Sequence, residues 1–215
     1  MNLIMGIIDF ILHIDKHLDM FISTYGLWVY GILFGIIFCE TGLVFLPFLP
    51  GDSIIFAAGA FAAIGSMNYF VLLFLIMFAA IAGDSVNYFI GKKFGEKIIS
   101  STKLIKPKHL ESAQAFIKKH GGKSLFLARF IPIIRTIVPF VLGMGSMEYK
   151  KFLKFNVLGG VTWVLLFLNL GYFFGNVPII KNHFSLIIIG IIFISVLPMI
   201  IGIVKNLFMK KVDFT

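Results

Sequence analysis

The chain has one cysteine, Cys39. A disulfide within the chain is therefore excluded, and the place of Cys39 in an apolar run makes it read as a buried bystander. Charge is scarce as well: Asp, Glu, Lys and Arg make up 13% of residues, against roughly a quarter in soluble domains. With 59% hydrophobic residues and a mean hydropathy of +1.00, this excludes an ordinary soluble protein and describes an integral membrane protein. At about 20 residues per crossing, 215 residues hold a handful of spans in one membrane domain, 1–215, with no large soluble domain. The opening segment, MNLIMGIIDFILHIDKHLD, lacks a basic n-region and a small-residue cleavage site, so no removed signal peptide is expected. Residues 1–26 read instead as an amphipathic interfacial helix. Of the five histidines only His13 and His17 share a helical i, i+4 spacing. No third ligand stands near them, so neither a metal nor a cofactor is expected.

What the chain does have is lysine in blocks. Lys92, Lys93, Lys97, Lys103, Lys106, Lys108, Lys118, Lys119 and Lys123 form the first, Lys150, Lys151 and Lys154 the second, and Lys205, Lys210 and Lys211 the third. The positive-inside tendency assigns all three to the cytoplasmic side. The basic linker, 92–122, reads as a solvated helix facing lipid headgroups. No aromatic stacking pattern accompanies its lysines, so nucleic acid is not expected as a partner.

Segments 69–91 and 152–175 are each long enough to cross once, and 184–204 crosses as an additional C-terminal transmembrane helix. Two further apolar regions are broken, 27–64 by PFLPGD and 124–143 by RFIPIIRTIVP. In the second, each half holds about ten residues, or about 15 Å of helix, half a hydrocarbon core. Such halves suit re-entrant hairpins whose bent tips are buried in protein or line a polar cavity. Pro47, Pro50 and Gly51 mark the first tip, and Pro132 and Pro139 the second.

The resulting fold is all-α, with two inverted repeats, 27–91 and 123–175, each a re-entrant hairpin plus a transmembrane helix. Internal matches agree with a repeat: PFLP at 47–50 with RFIP at 129–132, GSMNY at 65–69 with GSMEY at 145–149, and NYFIG at 87–91 with GYFFG at 171–175. Chance similarity in an apolar alphabet is the competing explanation. Inverted repeats with broken helices are the build of secondary transporters, whose substrate site lies near the bilayer midplane.

Charges inside apolar segments are costly and mark function or mutual neutralisation. The first hairpin carries Glu40 and Asp52, the second Arg129 and Arg135. If the tips meet, two carboxylates face two guanidinium groups. One reading is a lock that only holds the hairpins together. The other is a site in which the arginines' planar forks take a phosphate and a carboxylate in low dielectric takes up a proton, giving proton-coupled binding of an anionic headgroup. Asp84 joins the network or adds a second protonation site. Asn87, Asn156, Thr162 and Asn169 read as interhelical hydrogen bonds, and the glycines at 83, 91, 95, 159, 160, 171 and 175 as close-packing positions.

Two other classes stay open. A proton-coupled carrier of a small ion or cationic drug would use the acids and keep the arginines as counter-charge. An intramembrane lipid-phosphate hydrolase would need a nucleophile, for which Ser53 and Thr136 lie near the charges. No neighbouring histidine supplies a base, so the chain is not expected to be an enzyme.

The stretches FCETGLVFLPFLPGDS, AGDSVNYFIGKKFG, ARFIPIIRTIVPFVLGMGSM and NVLGGVTW resemble the DedA family of membrane proteins, relatives of the eukaryotic VTT-domain scramblases. The likeness covers about residues 27–180. It implies two facing re-entrant hairpins and proton-motive-force-dependent lipid transport. Undecaprenyl phosphate recycling across the bacterial cytoplasmic membrane is the implied activity, with phosphatidylethanolamine or other phospholipids handled by some members. It places functional acids at Glu40 and Asp52 and functional arginines at Arg129 and Arg135. A lipid phosphate and protons are the expected partners, and a homo-oligomer is compatible with the sequence.

Overall fold

A computed structural model describes residues 14–44, 50–101, 107–132, 134–145, 147–177 and Gly190. The first half of the expected interfacial helix, the tip residue Pro47 and the C-terminal span 184–204 lie outside the described residues. Within them the chain is all helical, with no strand: α1 Ile14–Gly42, α2 Gly51–Ala63, α3 Tyr69–Ser101, α4 Pro107–His120, a 3-10 turn Gly121–Lys123, α5 Ser124–Ala128, α6 Ile134–Met144 and α7 Tyr149–Gly175. α1 leaves helical geometry at Gly26, the boundary expected between the interfacial and apolar segments.

α3 and α7 are long and apolar enough to cross a membrane. Large apolar side chains stand exposed along both, Phe70, Phe74, Phe78 and Phe89 on one and Leu158, Leu166, Phe173 and Phe174 on the other. The opposite faces bury small and polar groups: Ala79, Ala80, Asp84 and Asn87 on α3, Asn156 and Trp163 on α7. Apolar outside and polar inside is the pattern expected where the solvent is lipid.

α3 does not stop at residue 91 as expected but runs on to Ser101. No proline or sharp breaker intervenes, and the extra turns pack through glycine. A Cβ at Gly91 would collide with the Phe140 carbonyl, and one at Gly95 with the Met144 side chain. The rest of the linker holds α4, whose apolar side buries Ala113 and packs Phe116 and Ile117 on the core. Lys118, Lys119 and His120 fill its last turn, where cations favour the helix dipole.

The chain forms two compact units. One comprises residues 1–29, 48–69 and 168–215. There α2 and the end of α7 approach backbone to backbone: a Cβ at Gly59 would strike the Leu168 carbonyl, and one at Gly171 the Phe56 carbonyl. Tyr69 donates a hydrogen bond to Asn169 Oδ1 at 3.0 Å. α2 closes with Gly65 at φ 87°, its N–H returning to Ala62 and that of Ser66 to Phe61, a Schellman closure that favours glycine.

The other unit comprises residues 30–47 and 70–167. Its core gathers Val44, Tyr88, Leu125, Ile137, Phe140, Leu142 and Phe152. Gly42 packs on Gly83, and a Cβ at Gly143 would strike the Tyr88 carbonyl, so α3 lies tightly against both α1 and α6. The break between α5 and α6 is a run of turns at Arg129–Pro132, held by Ile131 N–H to Ala128 O at 2.9 Å and Ile134 N–H to Pro132 O at 2.8 Å. The two limbs differ from the expected equal halves, with 5 and 11 residues. Pro139 is corrected as well: it lies inside α6, not at a tip. Its ring leaves the Arg135 carbonyl without an i+4 donor.

Candidate functional site

The second unit contains a polar cluster built from five segments. Glu40 and Thr41 come from the last turn of α1, Asp84 and Asn87 from the middle of α3, and Arg129 from the end of α5. Arg135 and Thr136 come from the first turn of α6, and Asn156 and Trp163 from α7. Glu40 stands where one apolar helix stops and Arg135 where another begins. Asn87 ties these ends together: its Nδ2 donates to Thr41 O at 3.1 Å and to Thr136 O at 2.7 Å. It thereby satisfies the Thr41 carbonyl, which the C-terminal end of α1 would otherwise leave to water, and ties it to the first turn of α6.

Two ion pairs occupy the cluster. Arg135 pairs with Glu40, whose side chain is fully buried. Arg129 pairs with Asp84, Nη2 to Oδ2 at 2.5 Å, with side chains 5% and 3% exposed. The same Nη2 donates to Asn156 Oδ1 at 2.6 Å and lies 3.5 Å from Ala80 O. Asn156 is itself held by Ile81 O at 2.9 Å and Ser85 Oγ at 3.3 Å. Gly159 and Gly160 provide the space for Arg129: Cβ atoms there would come within 3.1 Å and 3.4 Å of its side chain.

These groups surround a cavity of about 10 Å³ lined by Thr41, Asp84, Arg129, Arg135, Thr136 and Trp163. That is room for about one water molecule. A phosphate does not fit until a charged side chain moves.

Four of the five expected charged site residues, Glu40, Asp84, Arg129 and Arg135, therefore meet in one cluster. Asp52 belongs to the other unit, in the first turn of α2, where Pro50 is the N-cap and Gly51 the first helical residue. The carboxylate that faces Arg129 is Asp84, a partner set by the packing of α5 on α3. Ser53 shares that turn of α2, whereas Thr136 lines the cavity. Asn169 bonds Tyr69 as expected of an interhelical contact; Thr162 instead bonds Leu158 O of its own helix. Among the described residues no three His, Cys, Asp or Glu side chains assemble as a metal site.

Sequence reasoning missed Trp163. Its ring is 1% exposed and lies 5.9 Å from the Arg129 guanidinium carbon and 5.4 Å from that of Arg135. The available signal was its spacing, one helical face with Asn156 and the Gly159–Gly160 pair.

Fold and site together define a helical membrane protein with paired charges buried among its helices. Residues 49–173 match the VTT domain, and the chain belongs to that family. It is similar to "Protein DedA" of Escherichia coli (strain K12), 51% identical over 210 residues and 96% of each chain. It is 31% identical over 181 residues to "Inner membrane protein YqjA" of the same organism, covering 83% of this chain and 82% of that one. A membrane protein of Mycobacterium leprae (strain TN) is 38% identical over 169 residues, 78% of this chain and 76% of its own. No solved structure matches.

Proposed function

We propose that this protein is a proton-coupled transporter, not an enzyme, that carries a polyprenyl or phospholipid phosphate across the bacterial cytoplasmic membrane, with undecaprenyl phosphate as the substrate. The observation that carries this reading is the pair of guanidinium groups lining one small cavity, each held by a buried carboxylate, Arg129 by Asp84 in the same lining and Arg135 by Glu40. Arginine matches phosphate through its planar fork. A carboxylate that holds the arginine when ionised and releases it when protonated couples that fork to a proton.

In the proposed topology the breaks at 43–50 and 129–133 are tips of re-entrant hairpins in two inverted repeats, the first opening to the outside and the second to the cytoplasm. The basic linker and the C-terminus are cytoplasmic. A proton from outside neutralises Glu40 and frees Arg135 for the lipid phosphate, while the lipid tail stays in the bilayer through a lateral opening. Loss of the proton to the cytoplasm restores the Glu40 pair and expels the headgroup. The exchange works because lipid and carboxylate compete for the same fork, so the two states differ in affinity. Asp52, at the head of α2, is proposed as the second proton-coupling acid.

The test is movement of labelled undecaprenyl phosphate in proteoliposomes by wild type, Arg135→Ala and Glu40→Gln. Transport by wild type and loss in both variants is expected. Equal transport by all three would remove the charge cluster from the mechanism.

A further inference from the structure

The two arginines are not equivalent. Arg129 is held by Asp84, Asn156 and the Ala80 carbonyl, and its stem lies against Gly159 and Gly160. Its partner Asn156 is anchored in turn to Ile81 and Ser85. Moving Arg129 means breaking several contacts on α3 and α7 at once. Arg135 is the more exposed of the two, 12% against 5%. It sits on the second residue of α6, just after the break.

Trp163 lies against both guanidinium groups. An indole ring attracts a cation through its face, carries no titratable charge, and leaves the in-plane N–H edge of the guanidinium uncommitted. A carboxylate does the opposite, occupying that edge. The ring's hold on Arg135 therefore persists when Glu40 is protonated, and it presents the fork rather than covering it.

We infer that Trp163 is a positioning residue: it keeps hold of Arg135 when Glu40 releases it and holds the guanidinium edge-on to an incoming phosphate, while Arg129 remains a fixed strut. This deepens the transporter reading and rests on it for the identity of the ligand. It adds that one arginine fork exchanges per cycle, so the site takes one phosphate group at a time. The charged groups around the ring are Asp84 from α3, Arg129 from the end of α5, Arg135 from α6, and Glu40 from α1 through its pair with Arg135.

The chain has two tryptophans, and Trp28 is 74% exposed on α1. In a Trp28→Phe background, emission therefore reports Trp163 alone. Full-length protein in vesicles without substrate is expected to change emission on acidification as Glu40 lets go of Arg135 and the guanidinium is left to the ring alone. Glu40→Gln should show the acid-form emission already at neutral pH, and Arg135→Gln should abolish the response. In the transport assay Trp163→Phe, which keeps a ring face, should retain most activity. Trp163→Leu should lose about thirtyfold, the scale of a desolvated cation–π contact.

Emission that ignores pH, or a pH response that survives Glu40→Gln, would overturn the inference, the latter by assigning the titration to Asp84. Wild-type transport by Trp163→Leu would overturn it too. If the emission responds as expected but no lipid phosphate moves, the positioning role stands and the transporter reading fails. If lipid moves while the emission stays fixed, the reverse holds.

Discussion

Asp84 and Arg129 are each at most 5% exposed, so removing either one strands the charge of the other away from water. Asp84→Ala and Arg129→Ala should each destabilise the protein by about 3–5 kcal/mol. The double replacement Asp84→Leu with Arg129→Met should cost much less than the sum, because an apolar pair needs no compensation. Thermal melts in detergent micelles check this, and a double variant as unstable as the sum would contradict it. Lysine is a poor substitute at both arginines, for different reasons. Arg129→Lys should lower the melting temperature, since a shorter, non-planar ammonium cannot keep Asp84, Asn156 and the Trp163 face together. Arg135→Lys should melt near wild type yet fail to transport, because the planar fork for phosphate is gone. The charged residues themselves were legible in the sequence, since an ionisable group in an apolar run is expensive enough to stand out. Their pairing was not. Whether Arg129 meets Asp52 or Asp84 depends on how α5 packs against α3, a long-range fact absent from local pattern. Trp163 was overlooked for a different reason: in a chain with 16% aromatic residues, one more ring stands out only through its spacing from Asn156 and the Gly159–Gly160 pair.

At the scale of the helices, glycine decides how closely they approach. Cβ atoms at Gly91 and Gly143 would collide with the Phe140 and Tyr88 carbonyls, groups that cannot rotate away as a side chain can. Gly91→Ala and Gly143→Ala should each cost about 1–3 kcal/mol as α3 and α6 are forced apart. Gly35→Ala, on α1 with nothing within 4 Å, should be neutral or stabilise by about 0.5–1 kcal/mol through helix propensity. The same melts separate the two cases, and equal effects at all three positions would refute tight α3–α6 packing. The long helices were legible from apolar length, and the interruption at Arg129–Pro132 from its proline and charge. The continuation of α3 through Lys92, Lys93 and Lys97 was not, because a change from apolar to basic composition marks where a helix leaves lipid and not where it ends. Pro139 misled in the opposite direction. Proline weakens a helix without always ending it, and α6 keeps its course through that position.

For the whole molecule, the proposed topology makes a prediction of sidedness. With Cys39 replaced by Ser, single cysteines introduced as Asn68→Cys and Asn176→Cys should react with an impermeant thiol reagent from outside the cell, and Lys119→Cys only from the cytoplasm. All three positions are exposed, so reactivity reads the side of the membrane and not burial. Labelling of Asn68→Cys and Lys119→Cys from the same side would undo the inverted arrangement. The exchange of a proton for a lipid phosphate at Arg135 is tested most directly by the gradient itself. Proteoliposomes carrying labelled undecaprenyl phosphate should move it fastest with the outside-facing side of the protein acid, slowly once an ionophore collapses the gradient, and not at all in Glu40→Gln, with or without the gradient. Transport by wild type at the same rate with and without the gradient would contradict proton coupling through Glu40.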